Sequence, residues 1–485
     1  MFDFAKKAVE IAQRRKADFG DIRVIETRTQ DLSVKNGEIG SLNDTLTLGF
    51  GVRMLFNGAW GFASSDVMTA REVERVSLRA LNIAKASAAL MAAKVRLARE
   101  NAYQDVWQTP FLTDPFAVGT DKKLALLFAV DAVLRKNRKI RSAVSGMSFI
   151  REHQWHMTTE GSKIEQTLLS SGAGCLATAV DKNEAQERSY PSTHGGQTLS
   201  LGYELIESLR LLDHAERVRE EAVALLTAPA CPGGTKDLII SGNQLALQIH
   251  ESVGHATELD RVLGYEESYA GSSFATTEKL GKFRYGSKLV NLVADATLPG
   301  GLATAGYDDD AVKAQRWHIV KDGILSGYMT NREFASRIGK TRSFGSCRAD
   351  GYGKIPITRI CNLSLMPGDM EYEDIIRDTK DGIIMENNKS WSIDQKRLNF
   401  QFGCEIGWLV KNGKTAHMVK NPTYQGITPG FWGSCDAIAG EKHWRLWGVA
   451  NCGKGQPGQR AMMCHGNSPA RFRKVKIGVK ANTTN

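Results

Sequence analysis

No apolar run in the chain reaches the length of about eighteen residues that a membrane-spanning helix needs. The opening residues Met1-Phe2-Asp3-Phe4-Ala5-Lys6-Lys7 have no basic segment leading into an apolar one, which argues against a secretory signal. Cysteine is sparse, with eight residues scattered from Cys175 to Cys464 and no CxxC pair. That spread does not make a disulfide framework, so a reduced, cytoplasmic compartment is expected. Internal repeats and low-complexity segments are absent. So are helix-turn-helix, zinc-finger and RNP-like patterns, the usual signatures of nucleic-acid readers. Gly453-Lys454-Gly455 lacks the frame and the following helix of a phosphate-binding loop.

What is present is ordinary in bulk. Apolar residues make up 42% and charged residues 24% of 485, enough chain for two or three domains. The net charge of +10 allows a nucleic-acid reading. The densest basic stretch, Arg471-Phe472-Arg473-Lys474-Val475-Lys476, instead reads as the outward edge of a C-terminal strand.

Apolar spacing at Phe4, Ala8, Ile11 and Ala12 predicts a helix over 2–15. Strand-like runs follow, punctuated by Asn36-Gly37 and Asn57-Gly58, both strong hairpin turns. Residues 67–97 read as a long helix with a break expected near Ala86, and residues 121–136 and 203–226 read as further helices around strand-like runs in 140–201. Ala228-Pro229-Ala230-Cys231-Pro232-Gly233-Gly234 is the clearest linker. Beyond it come a strand at 237–241, a helix over 243–256 with Asn243 as N-cap, and then short strands and glycine turns. The expected architecture is α+β. An N-terminal domain, residues 1–228, sets helices on an antiparallel sheet; a C-terminal domain, residues 229–485, is mainly β and carries the helix with the metal motif.

That helix contains His250-Glu251-Ser252-Val253-Gly254-His255. The familiar zinc motif spaces its two histidines four apart on one helical face. Here the spacing is five, which on a regular helix leaves the side chains about 140° apart. A π-bulge would bring them to one face, and Gly254 would ease it. A catalytic zinc also needs a third protein ligand. Cys452, expected in a glycine-rich loop at Asn451-Cys452-Gly453-Lys454-Gly455-Gln456, is the candidate, and a metal would hold it as thiolate. Other candidates carry less. Asp308-Asp309-Asp310 reads as a solvated turn before a cation site. Cys464-His465 is a candidate extra ligand or redox pair, and His417 and His443 read as ordinary histidines. Trp391, Trp408, Trp432, Trp444 and Trp447 are expected in the core.

From end to end the chain resembles the TldD/PmbA family. The resemblance rests on Lys35-Asn36-Gly37-Glu38, on Gly51-Val52-Arg53 leading to Gly58-Ala59-Trp60-Gly61-Phe62-Ala63, on 247–256 around the two histidines, and on Asn451-Cys452-Gly453-Lys454-Gly455-Gln456. It implies a metallopeptidase with His250, His255 and Cys452 as ligands and Glu251 as general base. Zinc suits the mixed N/S set, with iron as the alternative. The resemblance also implies unfolded or flexible polypeptide as substrate, with Tyr307 and Asp308 as weak substrate contacts. It implies a homodimer, or a heterodimer with a TldE/PmbA-like subunit of the sister type that lacks the motif. The chain departs from the family pattern near Met462-Met463-Cys464-His465-Gly466-Asn467-Ser468-Pro469. Two other readings stand beside the peptidase: a nucleic-acid-associated regulator resembling a DNA gyrase modulator, and a non-catalytic binding partner.

Overall fold

Two Asn-Gly pairs set the N-terminal sheet. Asn36 (φ 52°), Gly37 (φ 85°), Asn57 (φ 49°) and Gly58 (φ 78°) all occupy the left-handed region, the backbone that a two-residue type I′ hairpin requires. In the computed structural model, which describes residues 1–91 and 93–478, these turns join Phe19–Lys35 to Glu38–Phe56 and then to Ala59–Ser65. The sheet runs in the order Ala59–Ser65, Glu38–Phe56, Phe19–Lys35, Ile140–Thr158, Lys163–Asp181, Gln104–Gln108. Its pairs are antiparallel, as expected, except that Gln104–Gln108 runs parallel to Lys163–Asp181.

Helices cover this sheet in two patches. Phe2–Arg14 and Ala70–Ala88 bury Ala5, Ala8, Val76 and Ala80 against Phe50, Val52 and Met54. Thr120–Leu134 and Leu211–Leu225 bury Leu127, Val130, Ala215 and Val218 against Val34, Phe149 and Ala177. Two helices are shorter than the sequence pattern suggested. The one expected over 67–97 ends at Ala88, because its buried stripe stops at Ala84 and Leu90 is 87% exposed. The chain then turns back, and the N–H groups of Val95 and Ala98 donate to the carbonyls of Gly58 and Arg332. The one expected over 203–226 splits into Glu204–Leu209 and Leu211–Leu225 at Arg210, whose backbone is left-handed (φ 47°, ψ 46°).

In the second half the strands close into a ring. Asp381–Ile393 pairs in parallel with Gly234–Ile240, which pairs with Ala470–Ile477. The path continues through Thr423–Ile427 to Asn399–Lys411, which returns to Asp381–Ile393. Closure leaves no free edge along this path. Leu238, Ile240, Ile383, Met385, Phe402, Tyr424 and Phe472 pack with Leu245, Ile249 and Val253 of the helix that follows the first strand. A helix with nearly every residue buried suits such a core. The basic stretch at 471–476 lies on an interior strand, not on an edge. Arg471 and Arg473 are both paired with Asp378 and Asp436, and Arg473 also with Asp237, while Phe472 and Val475 point into the core.

The two halves are tied by a buried charge knot. Arg53 donates to the Asp21 carboxylate at 2.5 Å and to Asp310 at 2.9 Å, and His156 lies 3.0 Å from Asp21. Burial pushes the Asp21 carboxyl up, but the Arg53 charge and the hydrogen bonds from His156 and Arg53 pull harder and hold it well below the usual range. The run Asp308-Asp309-Asp310 is therefore not a solvated turn. Asp309 accepts from Gln154 of the sheet, and Asp310 also accepts the Arg332 N–H.

Removing one partner from such a knot strands the others. Arg53→Met should lower unfolding free energy by about 3–5 kcal/mol in chemical denaturation. Because the folded Asp21 pKa is depressed, its contribution is present above the unfolded carboxylate value of about 3.9 and is lost as pH falls below it. The variant should therefore lose stability less steeply on acidification than the wild-type protein. A change under about 1 kcal/mol would rule out the knot as a main tie.

Candidate metal centre

The helix Gly242–Ile249 begins directly after the strand Gly234–Ile240, at Gly242 with φ 62°. Asn243 is not its N-cap: Ser241 holds that position, and the Asn243 amide instead donates to Ser192 at 2.7 Å and Thr193 at 3.1 Å. A buried polar seam fixes the helix lengthwise. Gln244 donates to the Tyr424 hydroxyl, which donates to Gln248, and Gln248 and Trp432 both donate to Ser252 Oγ.

At His250 the helix widens. Residues His250–Gly254 form a π turn in which the His255 N–H reaches the His250 carbonyl, five residues back. This is the widening that the histidine spacing called for, and it sets the two imidazoles face to edge with centroids 4.7 Å apart. Gly254 packs closely here, since a Cβ there would lie 2.8 Å from Ile360 Cδ1 and push that side chain aside.

The His250, His255 and Cys452 side chains converge, all three buried, with ligand atoms within 4.8 Å of one another. Cys452 arrives not in a loop but on the strand Arg445–Lys454, which pairs with Gln459–Asn467 and is irregular between Val449 and Cys452. Its Sγ lies 3.4 Å from His255 Nε2. Tetrahedral ligands about 2.0–2.3 Å from one zinc sit about 3.4–3.7 Å apart, and the Cys452–His255 separation falls in that range.

Proton bookkeeping at the imidazoles also fits. His255 Nδ1 lies 2.8 Å from the Glu258 carboxylate, so it carries the proton and leaves Nε2 free to ligate. His250 Nδ1 lies 2.8 Å from His465 Nε2, and His465 Nδ1 lies 2.8 Å from the Leu363 carbonyl. Burial pushes both imidazoles down, His255 strongly, which favours their neutral form. The Arg359 guanidinium places a fixed positive charge beside the Cys452 sulfur, which favours its thiolate form. Arg359 Nη2 lies 3.2 Å from the sulfur and 2.6 Å from the Cys452 carbonyl.

Glu251 is buried beside this group, with Arg397 Nη1 2.5 Å from its Oε2. Arg397 sits at φ 62° in a tight turn that Asp394 fastens by accepting from Leu398 N and Asn399. Lys454 is fully buried, donating to Asp260 at 2.6 Å and to the Thr358 carbonyl at 2.5 Å. It pins the cysteine strand to the segment after His255 and is not a phosphate ligand.

Other predicted residues lie elsewhere. Tyr307 and Asp308 line a cavity of about 500 Å³ whose wall includes Ala450, Ala461 and Met462 of the cysteine hairpin. The Tyr307 hydroxyl donates to Asp105, and the Asp308 carboxylate accepts three backbone N–H groups, from Asp310, Val312 and Cys347. Cys464 Sγ accepts from Leu302 N, burial pushes its thiol up to about 12, and it lies outside the group formed by His250, His255 and Cys452. Trp391 is 48% exposed, and Trp408, Trp444 and Trp447 are half-buried; only Trp432 of the five is fully in the core. Sequence reasoning missed Glu258, Arg359 and Arg397. Glu258 left a signal, a carboxylate three residues beyond the second histidine; the two arginines left none, since they come from distant turns.

Comparison with known proteins identifies the family. Models of the PmbA/TldA metallopeptidase match in three parts: domain 1 at residues 20–84, the central domain at 113–226 and the C-terminal domain at 233–469. A metalloprotease of Methanocaldococcus jannaschii is 28% identical over 437 residues, covering 90% of this chain and 92% of that one. A zinc metalloprotease TldD homolog of Saccharolobus solfataricus is 21% identical over 492 residues, covering 99% of each. Two solved structures share the fold. TldE from Thermococcus kodakarensis has a TM-score of 0.72 at 15% identity, covering 98% of this chain and 100% of that one. A Thermotoga maritima protein described as a candidate modulator of a DNA gyrase has a TM-score of 0.77 at 16% identity, covering 98% and 99%. With matches along most of its length and two histidines and a cysteine gathered at one point, the chain belongs to the PmbA/TldD family of metallopeptidases.

Proposed function

We propose that this metalloprotease is a zinc-dependent peptidase that hydrolyses unfolded or flexible polypeptide, with His250, His255 and Cys452 as metal ligands and Glu251 as general base. The observation that carries the reading is the convergence of two imidazoles, each anchored through Nδ1, and a thiol held beside the Arg359 guanidinium. Zinc, when bound, supplies a Lewis acid that polarises the scissile carbonyl and makes water a better nucleophile at neutral pH. Glu251 takes the proton of the attacking water and passes it to the leaving amine. Arg397 holds one carboxylate oxygen of Glu251, and no described residue donates to the other, which leaves Oε1 for that water. Iron is the alternative metal for the same set.

The same reading has several further parts. The active particle is a dimer around a shared cavity, with a second copy or a TldE/PmbA-like subunit. The chain divides at 228/229, supported by the two largest buried clusters, which stop at Leu226 on one side and start at Leu238 on the other. Tyr307 and Asp308 act as weak substrate contacts through the cavity wall. The protein works in the cytoplasm, supported by eight free cysteines; no helix among the described residues is long and apolar enough to cross a membrane. A nucleic-acid role finds little support, since Arg471 and Arg473 are occupied by internal carboxylates.

Three outcomes are expected. Elemental analysis of Cys452→Ser should show clear metal loss; full retention would remove Cys452 from the ligand set. Glu251→Gln should keep metal and thermal stability while peptide cleavage drops by about 10²–10⁴. Retained turnover with altered stability would make Glu251 structural. Deleting Val253 would shorten the motif and turn the chain beyond it by about 100° against its packing. Thermal unfolding should then find no cooperative transition, whereas a stable, metal-loaded deletion variant would show that the extra residue in the turn is dispensable.

A further inference from the structure

The stretch in which the sequence departs from the family pattern contains His465, and the metal-ligand reading leaves that residue without a role. It is fully buried on the strand Gln459–Asn467, the partner of the strand that carries Cys452. Its two ring nitrogens have different neighbours. Nδ1 lies 2.8 Å from the carbonyl of Leu363, and Nε2 lies 2.8 Å from Nδ1 of His250.

The chemistry of these contacts fixes every proton along the chain. A carbonyl oxygen can only accept, so His465 Nδ1 carries hydrogen and donates to Leu363. The ring is fully buried, with no carboxylate among its hydrogen-bond partners, so it is neutral and its Nε2 is an acceptor. His250 Nδ1 must therefore donate to it, and a neutral His250 then presents a bare lone pair at Nε2. Reversing any proton would set two donors or two acceptors against each other in a buried site.

Leu363 belongs to the short strand Leu363–Leu365, paired with Leu292–Asp295, so the chain starts from fixed backbone. The backing of the two ligand histidines is unequal. His255 has a carboxylate behind it, and His250 has a neutral imidazole.

We propose that His465 is a positioning residue: it holds His250 as the Nδ1–H tautomer, anchored to the Leu363 carbonyl, and so directs the His250 Nε2 lone pair at the metal position. The inference rests on the proposed ligand set. A purely space-filling His465 would have the same burial but would not determine where the His250 proton sits.

The test compares full-length wild-type protein with His465→Phe, which removes the acceptor and keeps a ring, and with His465→Gln, which keeps an acceptor oxygen. In metal-free protein labelled with ¹⁵N-histidine, long-range ¹H–¹⁵N correlation reads the tautomer of each imidazole, and His250→Gln assigns the His250 signal. Wild type and His465→Gln should show His250 as Nδ1–H, and His465→Phe should show a shift toward Nε2–H. In competition with a chromophoric chelator, zinc affinity should fall about 10–100-fold in His465→Phe and recover most of that loss in His465→Gln. Should His465→Phe fail to fold by thermal unfolding, His465→Leu takes its place. An acceptor-free variant that keeps both the Nδ1–H signal and wild-type zinc affinity would overturn the inference. A wild-type protein that takes up no zinc would overturn the metal reading instead, and the tautomer spectra would still decide the role of His465.

Discussion

The turn from His250 to His255 holds one residue more than an α-helical turn, and the two imidazoles meet because of it. A π turn is costly on its own, because it opens the ladder of backbone hydrogen bonds. Here the surrounding structure holds it in place. The Ser252 carbonyl accepts the Tyr285 hydroxyl, the Thr257 hydroxyl returns to the Val253 carbonyl, and Gly254 packs closely against the Ile360 side chain. The barrel core thus selects a backbone that the helix would not choose alone, and the ligand geometry follows from it.

Around the turn lies an unusual density of buried charge. Glu258, Asp260, Arg261, Glu266 and Lys454 are all buried directly behind His255. Buried ion pairs contribute little to net stability compared with apolar packing, but breaking one is expensive. Their value here is directional. Lys454 ties the cysteine strand to the segment just past His255, and Glu258 fixes the ring of His255. A site whose parts come from separate elements is thereby held to a narrow range of positions, as ligand geometry demands.

Local signals carried much of this into the sequence. Asn36-Gly37 and Asn57-Gly58 announced their hairpins because few other dipeptides tolerate two left-handed residues. The five-residue spacing of the histidines could be converted into a backbone distortion by counting angles. What stayed hidden was non-local. Arg210 breaks a helix whose apolar pattern runs straight through it, and the helix over Ala70–Ala88 stops once its buried stripe has ended at Ala84, with the N–H groups of Val95 and Ala98 further on donating to Gly58 and Arg332. The basic run at 471–476 looked like an edge because its neutralising aspartates, Asp237, Asp378 and Asp436, lie on three other segments. His465 was visible as a residue type, but its place one step behind the ligand depends on the register of a hairpin that the sequence does not specify.

The cysteine hairpin has a consequence for the order of events in synthesis. Cys452 follows His255 by 197 residues. At a ribosomal rate of about 5–20 residues per second, the two histidines exist for roughly 10–40 seconds before the thiol is made. During that interval the ring of strands is also open, because Ala470–Ile477, its link between Gly234–Ile240 and Thr423–Ile427, is still later in the chain. The nascent protein therefore has neither a complete donor set nor the core that enforces the widened turn. Closing so long a loop is an entropic cost that the finished barrel must meet first. The two histidines and the cysteine are therefore brought together only after the strand Ala470–Ile477 has been made.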